Sequence, residues 1–124
     1  MLIDVETLKK ITKIPHEIDY KNFRKKITSE DYQNIVDKIN NIIDSDMDIG
    51  KGIQTAGWMP GNKWEGTVFE PISKAYGGDL EMSSKMFGLI VWVVFMERDD
   101  KWGFGRYSVN EIPIKSMTYF KIKN

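Results

Sequence analysis

The segment Gly57–Thr67, which reads GWMPGNKWEGT, carries the residue types best suited to ligand binding. Its three glycines let backbone amides approach a ligand closely and adopt positive φ angles. Trp58 and Trp64 offer flat faces for stacking. Asn62, Lys63 and Thr67 add side-chain hydrogen-bond donors. Thr67 directly precedes a predicted helix start, where unbonded backbone N–H groups favour an anion such as phosphate.

The segment differs from a known phosphate-binding motif and also has a purely structural interpretation. It is not a P-loop, because the Gly-Lys-Ser/Thr ending of that motif is missing. The alternative to a pocket is a compact structural loop whose tryptophans fill the core. Both interpretations stay open on the sequence alone.

A second segment, Trp102–Tyr107 (WGFGRY), alternates large and small residues. In a strand, such alternation leaves gaps over the glycines that a ring, another backbone or a ligand can occupy. Arg106 is one of three arginines in a chain that otherwise uses lysine. Its planar guanidinium suits a phosphate, a carboxylate or an aromatic stack. The alternative is an aromatic sheet face packed on a helix, with Arg106 in an ion pair.

Together the two segments predict a binding site for a planar, anionic, nucleotide-like ligand. Aromatic rings would stack the planar group, while cationic side chains and amides near Thr67 would hold the anion. We expect Trp58, Trp64 and Arg106 to converge on one cavity. The predicted ligand-binding residues are Trp58, Asn62, Lys63, Trp64, Thr67, Trp102, Arg106 and Tyr107. No catalytic residue, metal ligand or cofactor is assigned, and the protein is predicted to bind rather than catalyse.

Two other function classes stay open. The first is a protein-interaction module, of the inhibitor or immunity type, that uses exposed aromatic residues. The second is a small hydrolase using Glu65 or Glu70 with Arg106, although nothing in the sequence fixes the separation of these side chains. The lysine and isoleucine bias is typical of AT-rich genomes. With the small size, it suggests a phage or bacterial signal sponge or sensor, an anti-defence role among them.

Weaker motifs carry no prediction of chemistry. The lone histidine, His16, has no partner for acid–base work. The acidic run that begins at Asp44 fails as a calcium loop, because loop positions 6 and 12 are Ile49 and Thr55. The basic triplet that begins at Arg24 is flanked by acids, so a solvated surface is its simplest interpretation.

Composition bounds the protein class. The 124 residues predict one domain, 1–124, with an ordinary soluble mix of 41% hydrophobic and 29% charged residues. Eighteen basic residues balance eighteen acidic ones, which argues against a dedicated DNA binder. Cysteine is absent, which excludes disulfides and thiol catalysis. With an acidic start and no apolar run of about 20 residues, we expect a cytoplasmic protein without a membrane span.

Periodicity and capping residues predict an α+β fold. N-terminal helices and a long buried helix pack on a small C-terminal antiparallel sheet. The expected helices are 4–14, 30–44, 68–76 and 80–97. Asp4 is the expected cap of the first, Thr28 or Ser29 of the second and Asp79 of the last, while the Gly77-Gly78 pair is expected to end the third. The expected strands are 53–56, 102–109 and 112–122. A buried strand at 88–96 is the alternative to the last helix, because Ile-Val-Trp-Val-Val is β-prone. Since a helix apolar on all sides needs cover on every side, we also expect a homodimer.

Overall fold

A computed structural model describes residues 1–48, 53–55, 59, 64–106, 108–109, 112–113 and 117–122. The helices are α1 (Glu17–Arg24), α2 (Ser29–Asp48), α3 (Glu70–Ala75) and α4 (Leu80–Glu97). The strands are β1 (Ile53–Thr55), β2 (Trp102–Gly105), β3 (Ser108–Val109), β4 (Ile112–Pro113) and β5 (Thr118–Lys121). The predicted α+β class is confirmed. Among the described helices, none is both long and apolar enough to cross a bilayer.

Helix α4 is the centre of the fold, as the sequence predicts. It begins where the side chain of Asp79 accepts a hydrogen bond from the Met82 amide at 3.1 Å, which caps the first turn. Ile90 and Val94 are 0% and 2% exposed. Helices α1, α2 and α3 all pack on α4. The alternative of a strand at 88–96 is therefore wrong, because tertiary cover on every side lets β-prone residues remain helical.

The sheet lies against the C-terminal half of α4. Its strand order is β1-β5-β2 with antiparallel pairing, and β3 pairs separately with β4. Phe95 contacts Trp102 and stacks on Tyr119, with ring centroids 4.9 and 4.0 Å apart, while Trp92 meets Phe104 at 4.8 Å. The sequence did not predict that β1, from the middle of the chain, would join this sheet.

The predicted helix at 4–14 is wrong. Asp4 instead closes a turn, with its Oδ1 accepting the Glu6 amide at 2.9 Å. The Ile3 amide donates to the Trp102 carbonyl at 2.9 Å, so the N-terminal segment bonds to the open edge of β2. These sheet-edge hydrogen bonds replace the intrahelical ones.

Helix α1 was not predicted, and it begins after His16, which is exposed and has φ 51°. It buries Tyr20 and Phe23. The Tyr20 hydroxyl hydrogen-bonds the Tyr32 hydroxyl at 2.5 Å and so joins α1 to α2. Eight residues give too short a periodic pattern for the sequence alone to reveal this helix.

Helix α2 starts at the predicted cap but runs four residues past the predicted end at 44. Thr28 Oγ1 accepts the Asp31 amide at 3.0 Å. Near the other end, Asp44 receives a 2.7 Å hydrogen bond from Arg98. That cation offsets an acid at a helix C-terminus, where negative charge is otherwise unfavourable.

Helix α3 is shorter than predicted, and it ends before Gly77 and Gly78, whose φ angles are 62° and 84°.

Arg98, just after α4, links three parts of the fold. Its guanidinium donates two 2.9 Å hydrogen bonds to Asp100, one of 2.8 Å to Asn40 and one of 2.7 Å to Asp44. Lys121 of β5 donates to the same Asp100 carboxylate at 2.8 Å. Burial disfavours ionised Asp100, but the bonds from Arg98 and Lys121 outweigh it and hold its pKa well below the usual range.

We predict that Gly103→Ala destabilises the protein by about 1–3 kcal/mol, as overpacking does. The ring of Phe120 lies across Gly103, so an added methyl would fall inside van der Waals contact with two ring carbons, and 3.1 Å from Val5 Cγ1. Urea unfolding measures the change. Gly88→Ala is the matched control: no described atom lies within 4 Å of its added methyl, and alanine favours a helix interior. Equal stability of the two variants would contradict the prediction.

We predict that Asp100→Asn lowers the melting temperature at neutral pH. Because the folded pKa of Asp100 lies below the unfolded value of about 3.9, its ionised form stabilises the fold above that value. This contribution is lost as the pH falls further, so the variant should lose less stability than the parent on acidification below about pH 4. Thermal melts across that range measure it. Asp99→Asn, at the exposed neighbouring position, should keep the parental pH dependence; similar profiles for both variants would count against this role of Asp100.

Candidate functional site

Four of the predicted site residues lie in the described part of the chain: Trp64, Thr67, Trp102 and Arg106. The others, Trp58, Asn62, Lys63 and Tyr107, lie outside the described residues. The expected convergence of Trp58 with Arg106 therefore stays a prediction.

Trp102 is a core residue. It is 0% exposed and packs on Phe95 of α4. The ammonium group of Lys121 lies 5.6 Å from its ring centroid. A stacking surface for a ligand needs an accessible ring face, which Trp102 lacks. Its ring instead holds the sheet against α4.

Trp64 joins the end of the Gly57–Thr67 segment to α4. Its half-buried ring meets Phe69 edge-on at 6.4 Å and Phe87 at 5.7 Å between centroids. Phe69 and Phe87 are themselves buried and 5.2 Å apart. Three rings in edge-to-face contact fix the position of Trp64 while part of its indole remains accessible.

The anion expected at the start of α3 is supplied by the chain itself. The Gly66 amide donates to Glu70 Oε2 at 2.9 Å, and the other oxygen of Glu70 pairs with Lys74 at 3.0 Å. The exposed Thr67 hydroxyl donates to the Trp64 carbonyl at 2.7 Å and accepts the Phe69 amide at 3.2 Å. Thr67 thus organises the turn into α3.

The electrostatics of Glu70 argue against a role as general acid. The backbone hydrogen bond from Gly66 and the ion pair with Lys74 both lower its pKa. A general acid at neutral pH needs a raised pKa. Glu65, the other acid considered, is exposed. In the described part of the chain, no group of three or more His, Asp or Glu side chains could hold a metal ion.

One stripe of α4 changes from large to small side chains along its length. Residues 84, 88, 92 and 95 follow one another at helical spacing, so they share a face. Trp92 and Phe95 meet the sheet. Ser84 is exposed and Gly88 is half-buried, so beyond the aromatic pair this face is shallow. Sequence analysis missed Ser84 and Gly88, although two small residues on an otherwise bulky stripe were the available signal.

Arg106 lies directly after the end of β2. Trp102 meets Phe95 and Phe104 meets Trp92, so β2 runs antiparallel to α4. Two strand residues advance roughly 6.5 Å, close to the 6 Å or so of four helical residues. If the extended direction of β2 continues for one residue, we expect Arg106 at about the level of Gly88.

Arg106 interacts electrostatically with the sheet. Burial raises the pKa of Tyr119, and the positive charge of Arg106 opposes the rise. Tyr119 stacks on Phe95 of α4, so it lies on the helix-facing side of the sheet. The exposed Arg106 therefore lies within range of a charge interaction with Tyr119.

Comparison of the chain with protein-family models, with curated proteins and with solved structures found no match. Fold-level analogy is therefore not a basis for assigning function.

Proposed function

We propose that the protein binds a small planar ligand bearing an anionic group, of the nucleotide type, on the N-terminal half of α4. The observation that carries the proposal is the change from aromatic to small residues along the stripe that ends in Gly88 and Ser84. Trp64, packed on Phe87, lies on one side of this surface, and we expect Arg106 at the same level, just beyond β2. We call the area bounded by these four residues the α4 recess.

Each boundary of the α4 recess suits one part of such a ligand. Without a side chain at Gly88, a flat ring can lie against the helix backbone. The accessible part of Trp64 offers aromatic surface to the same ring. The guanidinium of Arg106 can donate two parallel hydrogen bonds to a phosphate or carboxylate, and the exposed Ser84 hydroxyl adds a donor.

The biological form of this proposal is capture or sensing of a nucleotide-like signal in a phage or bacterial defence setting. Its only support is the small size and the residue bias of the chain. The α4 recess concerns the chemical class of the ligand and does not depend on that setting.

We predict that Arg106→Gln weakens binding of a nucleotide by about tenfold or more, because hydrogen bonds to a charged group contribute roughly 1.5–3 kcal/mol. The screen measures thermal shifts with nucleoside monophosphates, cyclic dinucleotides and ADP-ribose, followed by titration calorimetry of each positive. A ligand at 100 times its Kd adds about 2.7 kcal/mol of stability. Lys38→Gln removes one exposed positive charge on α2 and is the matched control.

A second variant tests the position of the site. Gly88→Leu fills the α4 recess and should abolish binding while the protein stays folded by circular dichroism. Failure of every nucleotide to shift melting, or equal weakening by Arg106→Gln and Lys38→Gln, would refute the proposal.

The homodimer also remains a prediction, but it no longer rests on the need to cover α4. Intrachain elements cover α4, so the helix itself no longer requires a second chain. Leu8, Ile18 and Leu80 are 78%, 75% and 70% exposed, and in a homodimer we expect a second chain to cover apolar side chains of this kind. Light scattering at micromolar concentration should give about twice 14.4 kDa; a monomer mass at every concentration would end the prediction.

A further inference from the structure

A cavity of about 470 Å³ lies between the start of α2 and the start of α3. Its walls come from residues 26–28, 31 and 34, around the start of α2, and from residues 67–68, 70–71 and 74. Neither Gly88 nor Arg106 lines it, so it is separate from the α4 recess. Its volume falls within the range of small-molecule sites.

Of the four charged residues on the walls, two form an ion pair with each other and two do not. Lys74 and Glu70 neutralise each other at 3.0 Å, and the second oxygen of Glu70 accepts the Gly66 amide. Lys26 and Asp31 also line the cavity, and within the described part of the chain neither side chain has an ion pair. The cavity therefore presents one cationic and one anionic side chain that remain available.

Lys26 is held in place without using its hydrogen-bond donors. Its ammonium lies 5.5 Å from the ring centroid of Tyr76, which stacks on buried Phe23. A cation–π contact positions the charge while leaving the N–H groups able to meet a carboxylate. Asp31 lies in the first turn of α2, where a carboxylate is favoured by the helix itself, so its role has to be tested by substitution.

The remaining walls include apolar surface. Ile27 is half-buried and packs against the core, Pro71 is half-buried, and Val68 is 39% exposed. Exposed valine in a concave, partly polar site is surface that an apolar group can cover with a gain in free energy.

From this arrangement we propose that the cavity binds a small zwitterion with an apolar body, such as a dipeptide of apolar residues. Lys26 would meet its carboxylate and Asp31 its ammonium group, while Ile27, Val68 and Pro71 would contact its side chains. The volume exceeds that of one amino acid and accommodates two. This second ligand class is independent of the nucleotide-like ligand proposed for the α4 recess.

In the test, the full chain is titrated separately with Leu-Leu, N-acetyl-Leu-Leu and Leu-Leu amide. Backbone amide chemical shifts in NMR spectra report the binding. Leu-Leu should bind about tenfold or more tightly than either capped form, because each cap removes one charge. Lys26→Gln should weaken Leu-Leu by a similar factor and should leave Leu-Leu amide unchanged, since that ligand has no carboxylate. Asp31→Asn should also weaken Leu-Leu, but it should leave N-acetyl-Leu-Leu unchanged, since that ligand has no ammonium group.

Neighbouring residues that do not line the cavity give matched controls. Lys25→Gln and Glu30→Gln remove the same charges from adjacent exposed positions and should leave all three affinities unchanged. Val68→Trp, which fills the cavity, should abolish binding and serves if Asp31→Asn disturbs α2. Absence of shifts at the cavity with every dipeptide, or equal effects of Lys26→Gln and Lys25→Gln, would overturn the proposal; neither result bears on nucleotide binding.

Discussion

The fold depends on the need to cover a helix that is apolar on almost every side. From Met86 to Phe95, every residue of α4 except Gly88 is buried. Each large apolar side chain removed from water contributes roughly 1.5–3 kcal/mol, so leaving any side of this helix open would be costly. Helices α1, α2 and α3 and the sheet pack around α4 for that reason. The second half of α4 receives the sheet, and this choice leaves Ser84 and Gly88 beyond the aromatic contacts.

The contact between the sheet and α4 decides which aromatic rings are buried in the core and which stay partly accessible. Trp102, Phe104 and Tyr119 pack on α4 rings, and Phe120 fills the space over Gly103. The gap that glycine spacing offers to a ligand is thus occupied by a neighbouring strand's ring, as cross-strand packing favours. Trp64 is different, because it is held by two rings yet stays only half-buried.

The zero net charge of the chain conceals local pairs with distinct roles. Arg98 and Asp100 hold the end of α4 to α2 and β5 through short hydrogen bonds. Glu70 supplies the negative charge at a turn where an external anion was expected. Lys26 and Asp31 line the cavity between α2 and α3, and among the described residues neither side chain has an ion pair. These two charges carry the proposal made for that cavity.

Local signals along the chain specify several of the elements. Asp79 and the continuous apolar stripe predict α4 at 80–97, and the Gly77-Gly78 pair predicts the end of α3, because capping and periodicity act within a few residues. Thr28 and Ser29 were equal candidates for the cap of α2, and the structure assigns it to Thr28. The remaining features depend on long-range packing. Whether residues near Asp4 become helix or pair with β2 depends on a strand almost a hundred positions away. Whether Trp102 binds a ligand or fills the core depends on which rings of α4 it meets, since residue type gives a side chain its chemistry, and packing alone decides what that side chain can reach.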